Sequence, residues 1–214
     1  MIEDTESGFA ENPSIVIVGI WNTGILTPQW YSVQFKDKID NKNVRLELQF
    51  GANNMAFTID DIKIVPEQGK LLFMSNKNDE STYEKLKYFA YETVSRLEYT
   101  PIQALGHNVA YHLEDDNVDI EQLSINNIFD GYIKLYNNKI KGAILLSQDI
   151  THTLIIGDCK LNLSYRITNN KKTIAFNYHY ETNNIDETKK YINEFTKNIE
   201  SSKELVTNLI RKDA

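Results

Sequence analysis

The chain has 214 residues, 41% of them apolar and 11% aromatic, with nine glycines and four prolines; that suffices for one large core or two small ones and excludes a disordered or loop-dominated scaffold. Its 23 basic against 30 acidic residues give a net charge of −7, which excludes a general electrostatic grip on nucleic acid. One cysteine, Cys159, excludes an intrachain disulfide and a thiolate metal cluster, and the sequence holds no apolar run of the length a membrane-spanning helix needs.

Residues 1–13 read as a loose polar arm, without the basic start and apolar stretch of a secretion signal, so the expected compartment is the cytoplasm. The single domain expected over 14–214 opens on Ser14 to Trp21, an apolar run of strand length. Thr27-Pro28 starts a short helix anchored by Trp30, Tyr31 and Phe35, with proline at its first position. From Val44 to Phe50 the chain alternates: Val44, Leu46, Leu48 and Phe50 face one way, and Arg45, Glu47 and Gln49 the other. Residues 51–54 turn it into a longer strand whose apolar positions switch from odd (Met55, Phe57, Ile59) to even (Ile62, Ile64). That switch predicts a β-bulge or bend at Asp60-Asp61. A second hairpin follows through Pro66 to Gly69 into Lys70–Ser75.

Ser81 and Glu84 have capping-box spacing, and the helix they open runs to about Glu98, three residues before Pro101. Tyr83, Leu86, Ala90, Val94 and Leu97 form its apolar stripe. Leu105 to Leu113 reads as a strand, and Gly106 marks a bend. Residues 114–127 read as an acidic loop with a short helix from about Ile120. A strand over 141–148 and a long strand over 153–168 come next, with Cys159, Leu161, Leu163, Tyr165 and Ile167 on one face. Thr173 to Glu181 pairs with that strand and carries Ile174, Phe176, Tyr178 and Tyr180 inward. Asn184 caps one final helix from about Asp186 to Arg211, with Ile192, Phe195, Ile199, Val206 and Leu209 inward.

Residues 43–98 and 139–211 thus share one layout: strand, long strand, turn, strand, helix. The expected fold is α+β, one antiparallel sheet from two such units, in halves of about 14–112 and 128–214, with two long helices on one face. The other face would carry Arg45, Glu47, Gln49, Asn162, Ser164, Arg166, Asn177 and His179. Of these, Arg45, Gln49, Arg166, Asn177 and His179 are the candidate binding residues.

The chemistry-bearing motifs are few. His112 and Glu114 form H-x-E, but the P-C-x-x-C half of a zinc deaminase site is missing. Asp115 and Asp116 follow as further carboxylates. Asp60, Asp61 and Lys63, with Glu47 on the neighbouring strand, form the strongest catalytic candidate, a carboxylate cluster with a lysine that suits a divalent metal in a hydrolase or nuclease. His107, His152 and His179 have no metal-ligand spacing, and no nucleotide-binding or nucleophile-elbow motif occurs. Cys159, in an apolar alternation, reads as a buried structural thiol. Tyr165, Tyr178 and Tyr180 read as core rather than as a base-stacking platform, since no basic groove adjoins them.

The stretch Leu97 to Tyr111, LEYTPIQALGHNVAY, resembles a segment of a family of small uncharacterised bacterial α+β proteins with T-P-[IV]-x-A-[LI]-G-x-N after a helix; Thr100, Pro101, Ala104, Leu105, Gly106 and Asn108 carry the match. The resemblance implies a bacterial origin and the same fold, and supplies no activity. The functional expectation is a non-enzymatic protein-binding or assembly subunit of a bacterial complex, in the setting of phage defence, acting on a protein partner or as a homo-oligomer. No cofactor, metal, membrane or nucleic acid is expected. The alternative is the metal-dependent hydrolase or nuclease.

Overall fold

Alternating apolar residues build nearly everything seen in the computed structural model, which describes residues 10–36, 44–48, 55–113, 147–168 and 171–210. Among these residues nine strands form one sheet: β1 (Ala10–Gly19), β2 (Val44–Leu48), β3 (Met55–Ile59), β4 (Ile62–Pro66), β5 (Lys70–Ser75), β6 (Ile102–Leu113), β7 (Ser147–Ile156), β8 (Cys159–Thr168) and β9 (Lys171–Glu181). Their spatial order is β2-β3-β4-β5-β1-β6-β9-β8-β7, and all eight neighbouring pairs are antiparallel. The described helices are α1 (Pro28–Gln34), α2 (Glu80–Arg96), α3 (Ile185–Asn193) and α4 (Phe195–Ile210). The fold is α+β and dominated by its sheet.

Several expectations need correction. β1 begins at Ala10, so 10–13 belong to the sheet and not to the arm. The stretch with the odd-to-even switch is not one bent strand. It is a tight hairpin: Ile59 pairs with Ile62, and Asp60 and Asp61 are the two loop residues, at φ +48° and +72°. Two consecutive left-handed residues make the type I′ turn whose twist matches a hairpin. Likewise the long strand expected over 153–168 is the hairpin β7–β8, turned by Gly157-Asp158 with Gly157 at φ +59°. Gly106 makes no bend, since it sits inside β6 and pairs with both Val16 and His179. Gly19 is the glycine that packing demands, because a Cβ there would lie 2.6 Å from the Pro101 carbonyl oxygen.

The α2 N-cap is Asp79 and not Ser81; its carboxylate accepts from the Thr82 amide at 2.9 Å and from the Ser81 hydroxyl at 2.9 Å. An ionised cap serves better than a hydroxyl against the positive helix end. Hydrogen bonds to Thr82 and Ser81 hold the Asp79 carboxyl below the usual range. Asn184 does cap α3, accepting from the Glu187 amide at 2.8 Å. The single final helix, however, is two. At Glu194 the amide turns back to Tyr191 at 3.0 Å, one residue tighter than α-helical, and α4 starts afresh with a buried Phe195.

One register row shows how the core is made: Phe57, Ile64, Phe73, Ile15, His107, Tyr178 and Leu161 lie side by side across seven strands. All are buried, and His107 is the one imidazole among them. The helices lie against this inner face. Tyr31 of α1 meets Phe57 at 5.5 Å between ring centroids and Phe89 of α2 at 6.3 Å. Tyr83 of α2 meets Phe195 of α4 at 6.2 Å, and Tyr191 of α3 stacks on Tyr180 at 4.5 Å. The Tyr111 hydroxyl donates to the Ile199 carbonyl of α4 at 3.3 Å. The tyrosines of β8 and β9 are therefore core, as their alternation predicts. Fully burying one aromatic or aliphatic side chain contributes about 1.5–3 kcal/mol, so this face holds the helices down.

Candidate functional site

The period of a strand puts the neighbours of those core residues on the opposite, outer face. The adjacent register row reads Arg45, Thr58, Lys63, Met74, Ser14, Asn108, Asn177, Asn162 and Thr153, one residue from each of the nine strands. Along β1, β6, β9, β8 and β7 its side chains form an unbroken chain of hydrogen bonds. The Thr153 hydroxyl donates to Asn162 Oδ1 at 2.8 Å, and Asn162 Nδ2 donates to Asn177 Oδ1 at 3.0 Å. Asn177 Nδ2 then donates to Asn108 Oδ1 at 2.7 Å, and Asn108 Nδ2 to Ser14 Oγ at 3.4 Å. All four bonds point the same way, so each polarises the next. At about 4.8 Å per strand the ladder spans roughly 19 Å.

Beside the ladder lies a row of small residues, Ala110, Ala175 and Ser164, ending at Thr151. They leave a shallow depression of about 160 Å³, walled on one side by Asn108, Asn177 and Asn162. Beyond it runs the row His112, Thr173, Arg166 and Asp149. His112 Nδ1 lies 3.1 Å from the Thr173 hydroxyl, and Arg166 holds Asp149 Oδ2 through Nε at 3.0 Å and Nη2 at 2.7 Å. The outer face is thus a furrow between an amide ladder and an ion-paired rim.

Among the expected binding residues, Arg166 is on that rim and Asn177 in the ladder. Arg45 is exposed at the far end of the ladder's row, on β2. His179 is half-buried one step away, between Gly106 and Lys160. Gln49 lies outside the described residues. Asn108, Ser14 and Thr153 were not among the expected residues. Three mid-strand asparagines were a usable signal, because asparagine is depleted in strands unless its amide has a partner.

Along the backbone, Glu47 stands apart from the other members of the carboxylate cluster. Glu47 sits opposite Ala56, four residues from Asp60 along β3, which is roughly 13 Å at about 3.3 Å per residue. Asp60 and Asp61 are turn residues, Asp61 is ion-paired to Lys77 at 2.8 Å, and Lys63 lies mid-hairpin opposite Thr58. Among the described residues, no three His, Cys, Asp or Glu side chains could hold a metal ion together. Glu114, Asp115, Asp116 and the 141–146 part of the expected strand lie outside the described residues.

Two buried groups complete the electrostatics. Cys159 is buried, and burial raises its thiol above the ordinary range, so the thiol is inert and structural. His107 is 1% exposed. Asn198 Nδ2 donates to its Nδ1 at 2.9 Å and to the Tyr180 hydroxyl at 2.8 Å, which assigns the ring proton to Nε2. Nε2 has no hydrogen-bond partner among the described residues, and burial pushes the imidazole down to about 3. No described helix is long and apolar enough to cross a membrane. No protein-family model matches the chain, and no curated protein matches it.

Proposed function

We propose that this chain is a non-enzymatic binding or assembly subunit of a bacterial complex that docks a protein partner on the outer face of its sheet. The observation that carries the reading is the ladder from Ser14 to Thr153 beside its furrow. Side chains already tied to one another lose little freedom when a partner arrives, and a rigid polar face gives register as well as affinity. The floor of Ala110 and Ala175 accepts a small apolar side chain. The Arg166–Asp149 pair at the rim meets polar groups of the same partner segment. An acidic chain of this composition suits a protein partner better than a polyanion.

The metal-dependent alternative has the separation of Glu47 from Asp60 against it. One experiment addresses both readings. The tagged full chain is purified natively from its host, beside Ala175→Arg, which fills the furrow, and Lys85→Glu, an exposed change on α2. A stoichiometric protein that stays with the Lys85→Glu chain and is lost from the Ala175→Arg chain supports docking on this face. Retention by Ala175→Arg refutes it, and a calorimetric Mg²⁺ or Mn²⁺ signal abolished by Asp60→Ala would restore the enzyme reading.

A further inference from the structure

Among the described residues the nine-stranded sheet ends in two edge strands, β2 and β7, and they differ. β2 carries two charged residues in the sequence VRLEL, and charge on an edge strand is a usual protection against unwanted pairing. The β7 edge is ten residues long, SQDITHTLII, with no proline, glycine or lysine, and its register with β8 is unbroken from Ser147 to Ile156. Its one charged residue, Asp149, is neutralised by Arg166 of the same sheet. Its last three residues are apolar and in water: Leu154 is 47% exposed, Ile155 74% and Ile156 54%. Isolated exposed apolar residues mean little, but three in sequence on an edge strand mark a contact surface.

We propose that β7 is where two copies of this chain meet, pairing antiparallel about a two-fold axis at Thr153 and joining two sheets into one. The spacing of β7 argues for a second copy. About Thr153, Ile150 and Ile156 are equidistant, so each meets the other's counterpart across the axis; His152 meets Leu154, and Thr151 meets Ile155. Every exposed apolar side chain then faces an apolar residue, a threonine or the His152 ring. Asp149 falls opposite Gly157, so the two Asp149 carboxylates do not meet. Moving the axis to His152 would set Asp149 against Ile155. A foreign strand would need no such symmetry, whereas an isologous pairing requires it. The backbone groups along the edge supply the hydrogen bonds of the new ladder.

This edge borders the furrow through Thr151 and Thr153, yet the two proposals are told apart by outcome: a monomer that keeps its furrow partner sinks only the edge pairing. The test uses the full chain in light scattering coupled to size exclusion across the micromolar range. A dimer is expected for the wild type and a monomer for Leu154→Lys with Ile156→Lys, at unchanged circular dichroism and melting temperature. Directly opposed antiparallel residues lie within disulfide reach. Thr153→Cys is therefore expected to cross-link two copies under mild oxidation. Ile155→Cys, which would face Thr151, is not, and the wild type with its buried Cys159 is the blank. A wild type monomeric throughout the range overturns the proposal. So does a dimer that survives the lysines, and so does cross-linking at Ile155→Cys equal to that at Thr153→Cys.

Discussion

His107 offers the sharpest test of the core. It sits in the middle of an inner row of hydrocarbon and aromatic side chains, 5.2 Å from the Phe195 ring and 5.5 Å from Tyr180 between centroids. Burial holds its imidazole at about 3. In the unfolded chain the same ring titrates near its ordinary value of about 6.5. Below that value the unfolded state takes up a proton that the folded state refuses, so stability is lost as pH falls from about 6.5 towards about 3. Each pH unit inside this window costs about 1.4 kcal/mol, and by pH 5 the loss from this one group reaches about 2 kcal/mol. His107→Gln removes the titration and leaves Asn198 an acceptor. Urea unfolding of both proteins at pH 7.5 and pH 5.0 isolates the effect, because the carboxylates and the other three histidines are common to both. The wild type should lose about 2 kcal/mol more than the variant between these conditions. Equal losses would mean that His107 is hydrated or protonated in the folded protein, and the account of the core row would be wrong.

Three further outcomes follow from the geometry. Gly19→Ala drives a methyl to 2.6 Å from the Pro101 carbonyl and should lower stability by about 1–3 kcal/mol, read as a fall in urea midpoint. Replacing Asp60-Asp61 by Asn-Gly suits two left-handed residues better and should raise stability by about 1 kcal/mol; the lost exposed Asp61–Lys77 pair offsets little of it, and a fall in melting temperature would contradict the turn assignment. Asn177→Ala cuts the ladder at its centre, removing the acceptor for Asn162 and the donor to Asn108, and should cost about 1–3 kcal/mol; an unchanged unfolding midpoint would show that the amides prefer water.

The two-fold periodicity of the strands was legible because one face is apolar throughout. It correctly assigned the buried tyrosines, Cys159 and the shared polar face of Arg45, Asn162, Arg166, Asn177 and His179. Hairpin turns without glycine-asparagine signatures were harder. Asp60-Asp61 hides as an extended pair, since nothing in two aspartates announces a positive φ. Gly157-Asp158 did carry a turn signature, but the apolar alternation running through Cys159 masked it. Asp79 prevailed over Ser81 as a cap because an ionised carboxylate takes several donors at once. The ladder itself was out of reach of sequence. It depends on the register of five strands, two of which, β1 and β6, reach their partners from 94 residues apart at the Ser14–Asn108 bond. Periodicity says which face a residue takes, never which residue lies beside it.

The seam between β1 and β6 also bears on how the chain is made. Residues up to Arg96 already contain β1 through β5 and the α2 that packs on them; β2 to β5 pair as local hairpins, and β1 joins β5 at Ser14–Met74, so this portion can close before the rest of the chain leaves the ribosome. Until β6 is synthesised, the free margin of β1 stays open, bearing some of the most apolar residues of the protein. Newborn chains therefore pass through an interval of stickiness that the finished molecule conceals. Pulse-labelled hydrogen exchange should find β4 and β5 amides shielded before those of β8.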